Sequence, residues 1–163
     1  MNDSASEAPP RTSIITPDQL LEHWQGHRRL SRRMIEAFPD DELFTFSIGS
    51  MRPFGVLVME MISMAAPTVE GVVSGNWDSP GDREARSRAD LLRLWDESTE
   101  KINAGWTSIP PERFQESRTA FGQWEMPVYG LIFYVIDNEI HHRGQGYVYM
   151  RALGIEPPPF YER

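Results

Sequence analysis

The chain has no cysteine, which excludes a disulfide framework, a thiolate nucleophile and any zinc site built on sulfur. Histidine is scarce, at four residues, so the position of each one is informative. Basic residues are outnumbered: 16 Lys and Arg stand against 24 Asp and Glu, a formal net charge of −8. Duplex DNA or an anionic membrane demands a cationic surplus, because phosphate neutralisation supplies much of such affinity. Neither partner is expected. The one dense basic run, HRRLSRR at 27–33, reads as a solvated helix face. The longest apolar run, VLVMEMISMAA at 56–66, is short for a bilayer and holds a glutamate. The amino-terminal MNDSASEAPPRTS lacks the apolar centre of a signal peptide, so the chain is expected in the cytoplasm, with residues 1–14 as a flexible tail. No strand run and no internal repeat stand out.

What the chain does contain is four long segments of helical periodicity in 163 residues, the size of one domain, placed at 15–163. Thr16-Pro17 fits a capping residue followed by proline in a first turn. From there Leu20, Trp24, His27, Ser31, Met34 and Phe38 recur at steps of three and four, and the helix should end before Pro39. A second helix opens at Pro53 and runs to about Val73, with Pro67 expected to kink it or mark its last regular turns. SGNWDSPGD at 74–82 reads as a connection. A third helix from about Asp82 carries Leu91, Trp95, Ser98 and Ile102 on one face. The segment 108–127 is a long connection of little periodicity. The last helix starts at Pro127 and stops at Gly154, with Leu131, Val135, Asn138, His142, Gln145, Tyr149 and Leu153 facing inward. Four amphipathic segments without strands make an all-α four-helix bundle.

Several polar residues fall on the inward faces. Glu60 lies in VLVMEMISM, where an unpaired carboxylate would cost several kcal/mol. An arginine such as Arg143 or one from the first helix, a hydrogen-bond network, or a cation must compensate it. Asn138 and His142 are one turn apart on the last helix, a spacing with which two side chains share one ion. Imidazole and carboxylate together suit a first-row divalent metal such as zinc, nickel or manganese, while an inward histidine also serves as a satisfied core residue. His141 points about 100° away from His142, toward a groove or a partner subunit. Glu139 borders the stripe as an acceptor for an imidazole N–H. Gly144 and Gly146 are unfavourable in a helix and are read as letting another helix or a ligand approach. His23 and His27 repeat the four-residue spacing; they read as packing and capping residues, with His27 in reserve as ligand or proton carrier.

These residues carry a resemblance. YVIDNEIHHRGQGYVYMRALGIEPP at 134–158 resembles the final helix of the DinB-like (DinB/YfiT) four-helix bundles, MRPFGVLVMEMISMAA at 51–66 their second helix, and HWQGHRRLSRRMIEAFPDDEL at 23–43 their first. The resemblance covers roughly residues 16–163. It implies a bundle with a long crossover connection between helices 2 and 3, at 74–82, with 105–127 joining helices 3 and 4, and assembly as a homodimer. It also implies a divalent metal held by three histidines, one from the second helix and two from the last. The matching positions here are Glu60, Asn138 and His142, and His142 alone keeps the family's ligand type. The departure leaves two alternatives: an oxygen-rich metal site, or a closed Glu–Asn–His network without an ion. Related proteins include thiol S-transferases that use a low-molecular-weight thiol, and hydrolases. In an enzyme of that kind His27 or His141 would shuttle the proton, and the thiol would come from the cofactor. The alternative is a non-enzymatic small-molecule-binding or stress-response bundle, with Trp24, Trp124, Tyr149 and the eight methionines lining an apolar pocket.

Overall fold

A computed structural model describes residues 14–77 and 83–163; the expected tail, apart from Ile14, and residues 78–82 of the 74–82 connection lie outside the described residues. Helix α1 spans Pro17–Ala37. Its start follows from Thr16, whose side chain accepts from the Gln19 backbone N–H while the Gln19 side chain accepts from the Thr16 backbone, a reciprocal cap that satisfies two otherwise unpaired donors. Pro39 ends it by forcing Phe38 into extended backbone. Helix α2 spans Phe54–Ser74 and continues for seven residues beyond Pro67 before Gly75 closes it at φ +78°. Helix α3, Arg88–Trp106, starts later than Asp82 because Ser87, not a residue of the turn-rich stretch, caps it by accepting from Asp90 N–H. Helix α4 spans Val128–Ala152. It ends where Gly154 takes φ +76° and Ile155 N–H donates back to Met150 O at 2.9 Å.

The absence of strands does not hold. Between α3 and α4, strand β1 (Ser117–Ala120) pairs antiparallel with β2 (Trp124–Pro127), in the register Ser117 to Pro127 and Ala120 to Trp124. Phe121 and Gly122 both take positive φ, 51° and 67°, which is the backbone of a tight hairpin turn. Ser-Arg-Thr-Ala has no apolar alternation, so periodicity could not reveal it. This hairpin carries Trp124 out to 54% exposure, so Trp124 lines no internal pocket.

Helices α1 and α2 each pack against both α3 and α4, so α1 lies across the bundle from α2, and α3 from α4. The connection 75–87 joins neighbours α2 and α3, and the longer segment 107–127 crosses from α3 to α4. Helix α2 is, by length and a mean hydropathy of 1.6, apolar enough to cross a membrane. It is longer than the run 56–66 implied, and most of it is buried among the other helices.

The core has two apolar ends. One gathers Trp24, Val69, Trp106, Phe114 and Ile132, and the other Phe38, Phe54, Met61, Trp95 and Tyr149. Between them runs a belt of buried polar side chains: Gln25, His27, Arg28 and Ser31 from α1, Ser98 from α3, and Glu139, His142 and Arg143 from α4. Gly146 is where α4 meets that second end. A Cβ there would lie 2.5 Å from the Phe54 ring, whereas Gly144 faces open space.

Candidate functional site

The polar belt resolves into three groups, and one of them gathers most of the residues singled out from sequence. Glu60 on α2 faces Asn138 and His142 on α4. Asn138 Nδ2 donates to Glu60 Oε1 at 3.3 Å, and His142 Nε2 donates to the same oxygen at 3.0 Å. The second oxygen, Oε2, meets Arg52 Nη1 at 2.5 Å. Arg52 stands just ahead of α2, two turns below Glu60. Burial pushes the Glu60 carboxyl upward, but the hydrogen bonds from His142, Arg52 and Asn138 together outweigh it and hold the group below its usual range. The carboxylate is not sealed in. Its side chain is 29% exposed and that of Arg52 is 51% exposed.

The network extends outward along α4. His142 Nδ1 lies 3.1 Å from Gln145 Oε1, and Gln145 Nε2 lies 3.4 Å from His141 Nε2. The Gln145 amide pairs with Nδ1 in either orientation, accepting through its oxygen or donating through its NH2. Gln145 thus bridges buried His142 and exposed His141, whose ring packs edge-on at 5.1 Å between centroids. Glu60, Asn138, His142 and His141 are therefore brought together.

His27 is not. It belongs to a second group, in which Arg143 Nη2 donates to its Nδ1 at 2.9 Å and Arg163 Nη1 approaches its Nε2 at 2.9 Å. Burial first, then the charges of Arg143, Arg163 and His23, push its pKa down to about 4. A ring so placed is neutral and turned away from Glu60, so the structure separates it from the proton-carrier position. The pairing of Glu60 with Arg143 does not occur either, because Arg143 is committed to His27 O, Ser31 Oγ and His27 Nδ1.

The third group is the deepest. Glu139, fully buried, forms an ion pair with Arg28 and accepts from Trp24 Nε1 at 3.1 Å. Arg28 also donates to Thr99 Oγ1 and Trp95 O and lies 4.0 Å over the Trp95 ring. Arg28 therefore contradicts the reading of HRRLSRR as a solvated face: α1 is covered by both α3 and α4, and its inward surface is wider than one stripe. Glu139 serves Arg28 rather than an imidazole. The sequence held a signal for Arg52, a cation directly before the helix that carries Glu60, but none for which arginine of α1 would be buried.

The donor set does not fit a resident divalent ion. Among the described residues no three His, Cys, Asp or Glu side chains converge. Glu60 already carries a guanidinium, which repels a second cation, and Asn138 presents its N–H to the carboxylate while its Oδ1 is buried without a partner.

Comparison with known proteins places this geometry in a wider setting. A model of the DinB family matches residues 75–163, which include α3, the hairpin and α4. A Bacillus subtilis protein, described as uncharacterized protein YjoA, is 23% identical over 149 residues, spanning 90% of this chain and 96% of that one. The crystal structure of that DinB-like YjoA superposes with a TM-score of 0.73 at 24% identity, covering 89% of this chain and 98% of the other. A DinB-like protein from Bacillus cereus superposes with a TM-score of 0.74 at 16% identity, over 88% and 97% of the two chains. At these identities the superpositions show a shared fold.

Proposed function

The chain belongs to the DinB family, and from that premise we propose that it is a metal-independent member whose Glu60–His142 network binds a small polar molecule. The observation that carries this reading is Arg52 on Glu60 Oε2: the counter-charge for the inward carboxylate is a side chain, and that side chain is half exposed. Arg52 can leave toward solvent, and a ligand offering an N–H or O–H donor takes its place on Oε2. Asn138 and His142 keep Oε1 in position throughout, and the Gln145–His141 chain carries the change to the surface. Sites that recognise small molecules commonly combine few convergent polar groups in this way.

Elemental analysis of protein purified without chelator, before and after incubation with zinc, nickel and manganese, tests the metal-free reading. No stoichiometric metal is expected. Near-stoichiometric metal that disappears in both Glu60→Gln and His142→Ala would overturn it. In parallel, a library of small polar amines and alcohols is expected to contain compounds that raise the melting temperature without added metal, and to lose that effect in Glu60→Gln.

A second reading, divalent-metal-dependent thiol transfer or hydrolysis, has one observation in its favour. The buried, unpartnered Asn138 Oδ1 would turn toward Glu60 on a half rotation of the amide. Arg52→Gln discriminates between the readings: metal uptake by this variant at the level of the wild type, with a thiol-conjugating activity lost in His142→Ala, would favour the enzyme.

A further inference from the structure

On the other side of α4 from Glu60, we propose that the cavity between this helix and the proline-rich segment 156–161 binds a small organic anion with a flat apolar body, an aromatic carboxylate. The cavity is about 510 Å³, within the usual range for small-molecule sites. Its walls are mainly apolar and include Gly144 and Tyr147 of α4 and Phe160 and Tyr161 of the segment, together with the guanidinium-bearing Arg143 and Arg151. The far wall is anchored. Tyr147 Oη–H donates to Pro158 O at 2.7 Å, and Arg33 Nη1 donates to Glu162 O at 2.9 Å.

The charge balance points to an anion. Arg143 is 6% exposed, and its recorded partners, His27 O, Ser31 Oγ and His27 Nδ1, are all neutral. Arg28, buried still deeper, is ion-paired with Glu139; Glu139 also acts on Arg143 from one turn away, but among the described residues no carboxylate stands at ion-pair distance from Arg143 or from Arg151. A desolvated cation without a direct ion-pair partner is costly. Arg163 on the far side of His27 adds positive charge rather than relieving it. Glu156 on the rim forms no ion pair with either arginine. A ligand carboxylate beside Arg143 and Arg151 supplies a direct ion-pair partner for both. Gly144 leaves the floor open, since nothing lies within 4 Å of where its Cβ would be. The exposed rings of Phe160 and Tyr161, 5.6 Å apart between centroids, cover the flat body of the ligand.

Isothermal titration calorimetry on the full chain with indole-3-carboxylate, its neutral carboxamide and inorganic phosphate tests the proposal. The carboxylate is expected to bind at least about tenfold more tightly than the carboxamide, a factor that corresponds to about 1.4 kcal/mol, and phosphate to bind more weakly than the carboxylate. Arg151→Gln should weaken the carboxylate several-fold. Gly144→Leu should abolish its binding by filling the floor while preserving the melting temperature, which keeps the test sound even where Arg143→Gln fails to fold. Glu60→Gln should change nothing, so this site and the Glu60 network succeed or fail separately. Equal binding of carboxylate and carboxamide, phosphate binding as tightly as the carboxylate, unchanged binding in Gly144→Leu, or no binding by the carboxylate at millimolar concentration would each overturn the proposal.

Discussion

Glu139 and Glu60 each meet an arginine inside the same bundle, on different sides of α4, and the physics of the two pairs is opposite. Glu139 and Arg28 are 0% and 1% exposed, with every further partner supplied by protein: Trp24, Thr99 and the Trp95 carbonyl. Burial pushes the Glu139 carboxyl up and the Arg28 guanidinium down, and their mutual attraction offsets this in part. Such a pair adds little net stability compared with apolar side chains of the same size, yet it cannot be broken cheaply, because the survivor is stranded. It ties α1, α3 and α4 together in one register. Glu60 and Arg52 are 29% and 51% exposed, and hydrogen bonds hold Glu60 low rather than high. Water screens that pair and can replace either member. The sealed pair suits architecture, and the open one suits exchange with a ligand.

The largest expected effect comes from breaking the sealed pair. Glu139→Leu should cost about 3–5 kcal/mol in urea unfolding by stranding Arg28, and the double variant Arg28→Met/Glu139→Leu should recover most of that loss. If the double variant is as unstable as the single one, the pair is more than a charge-neutral tie. Arg52→Gln, at the open pair, should cost about 1 kcal/mol or less. That cost should shrink in high salt while the cost of Glu139→Leu persists; equal salt sensitivity would mean that the two pairs do not differ in solvent screening.

The smallest effects appear as slopes against pH. For Glu60 the folded pKa lies below the ordinary value of 4.5, so its contribution is present above that value and is lost as pH falls through the folded pKa. For His27 the folded pKa of about 4 lies below the ordinary value of 6.5. The unfolded chain takes up the proton first, and stability falls as pH drops from about 6.5 to about 4. Glu60→Gln should flatten only the lower window of a stability–pH curve and His27→Gln only the upper one. If Glu60→Gln flattened both, His27 and Glu60 would belong to one coupled network, contrary to their separation in the bundle.

Much of the candidate site was legible in the sequence. Asn138 and His142 share a helix face because they are four residues apart, and Glu60 stood out as a carboxylate in an apolar helix, so their meeting followed once the helices packed. Gly146 was read correctly as a point of close approach, the occupant being the Phe54 ring, while Gly144 opens on a cavity instead. His27 lay on the expected inward face and still joined a different group, because α1 borders α3 and α4 rather than α2.

The local rules of the chain determined what repeats at short range: Thr16 and Gly154 as helix ends, the 3.6-residue stripes, and the buried positions along them. Tertiary structure alone decided which charges met. A guanidinium on its flexible stem reaches several residues in any direction, so the pairing of Arg28 with Glu139, of Arg52 with Glu60, and of Arg143 with neutral partners depends on which helices are neighbours and how deeply each is covered. That order is a property of four helices packed together, and no periodicity along one of them encodes it.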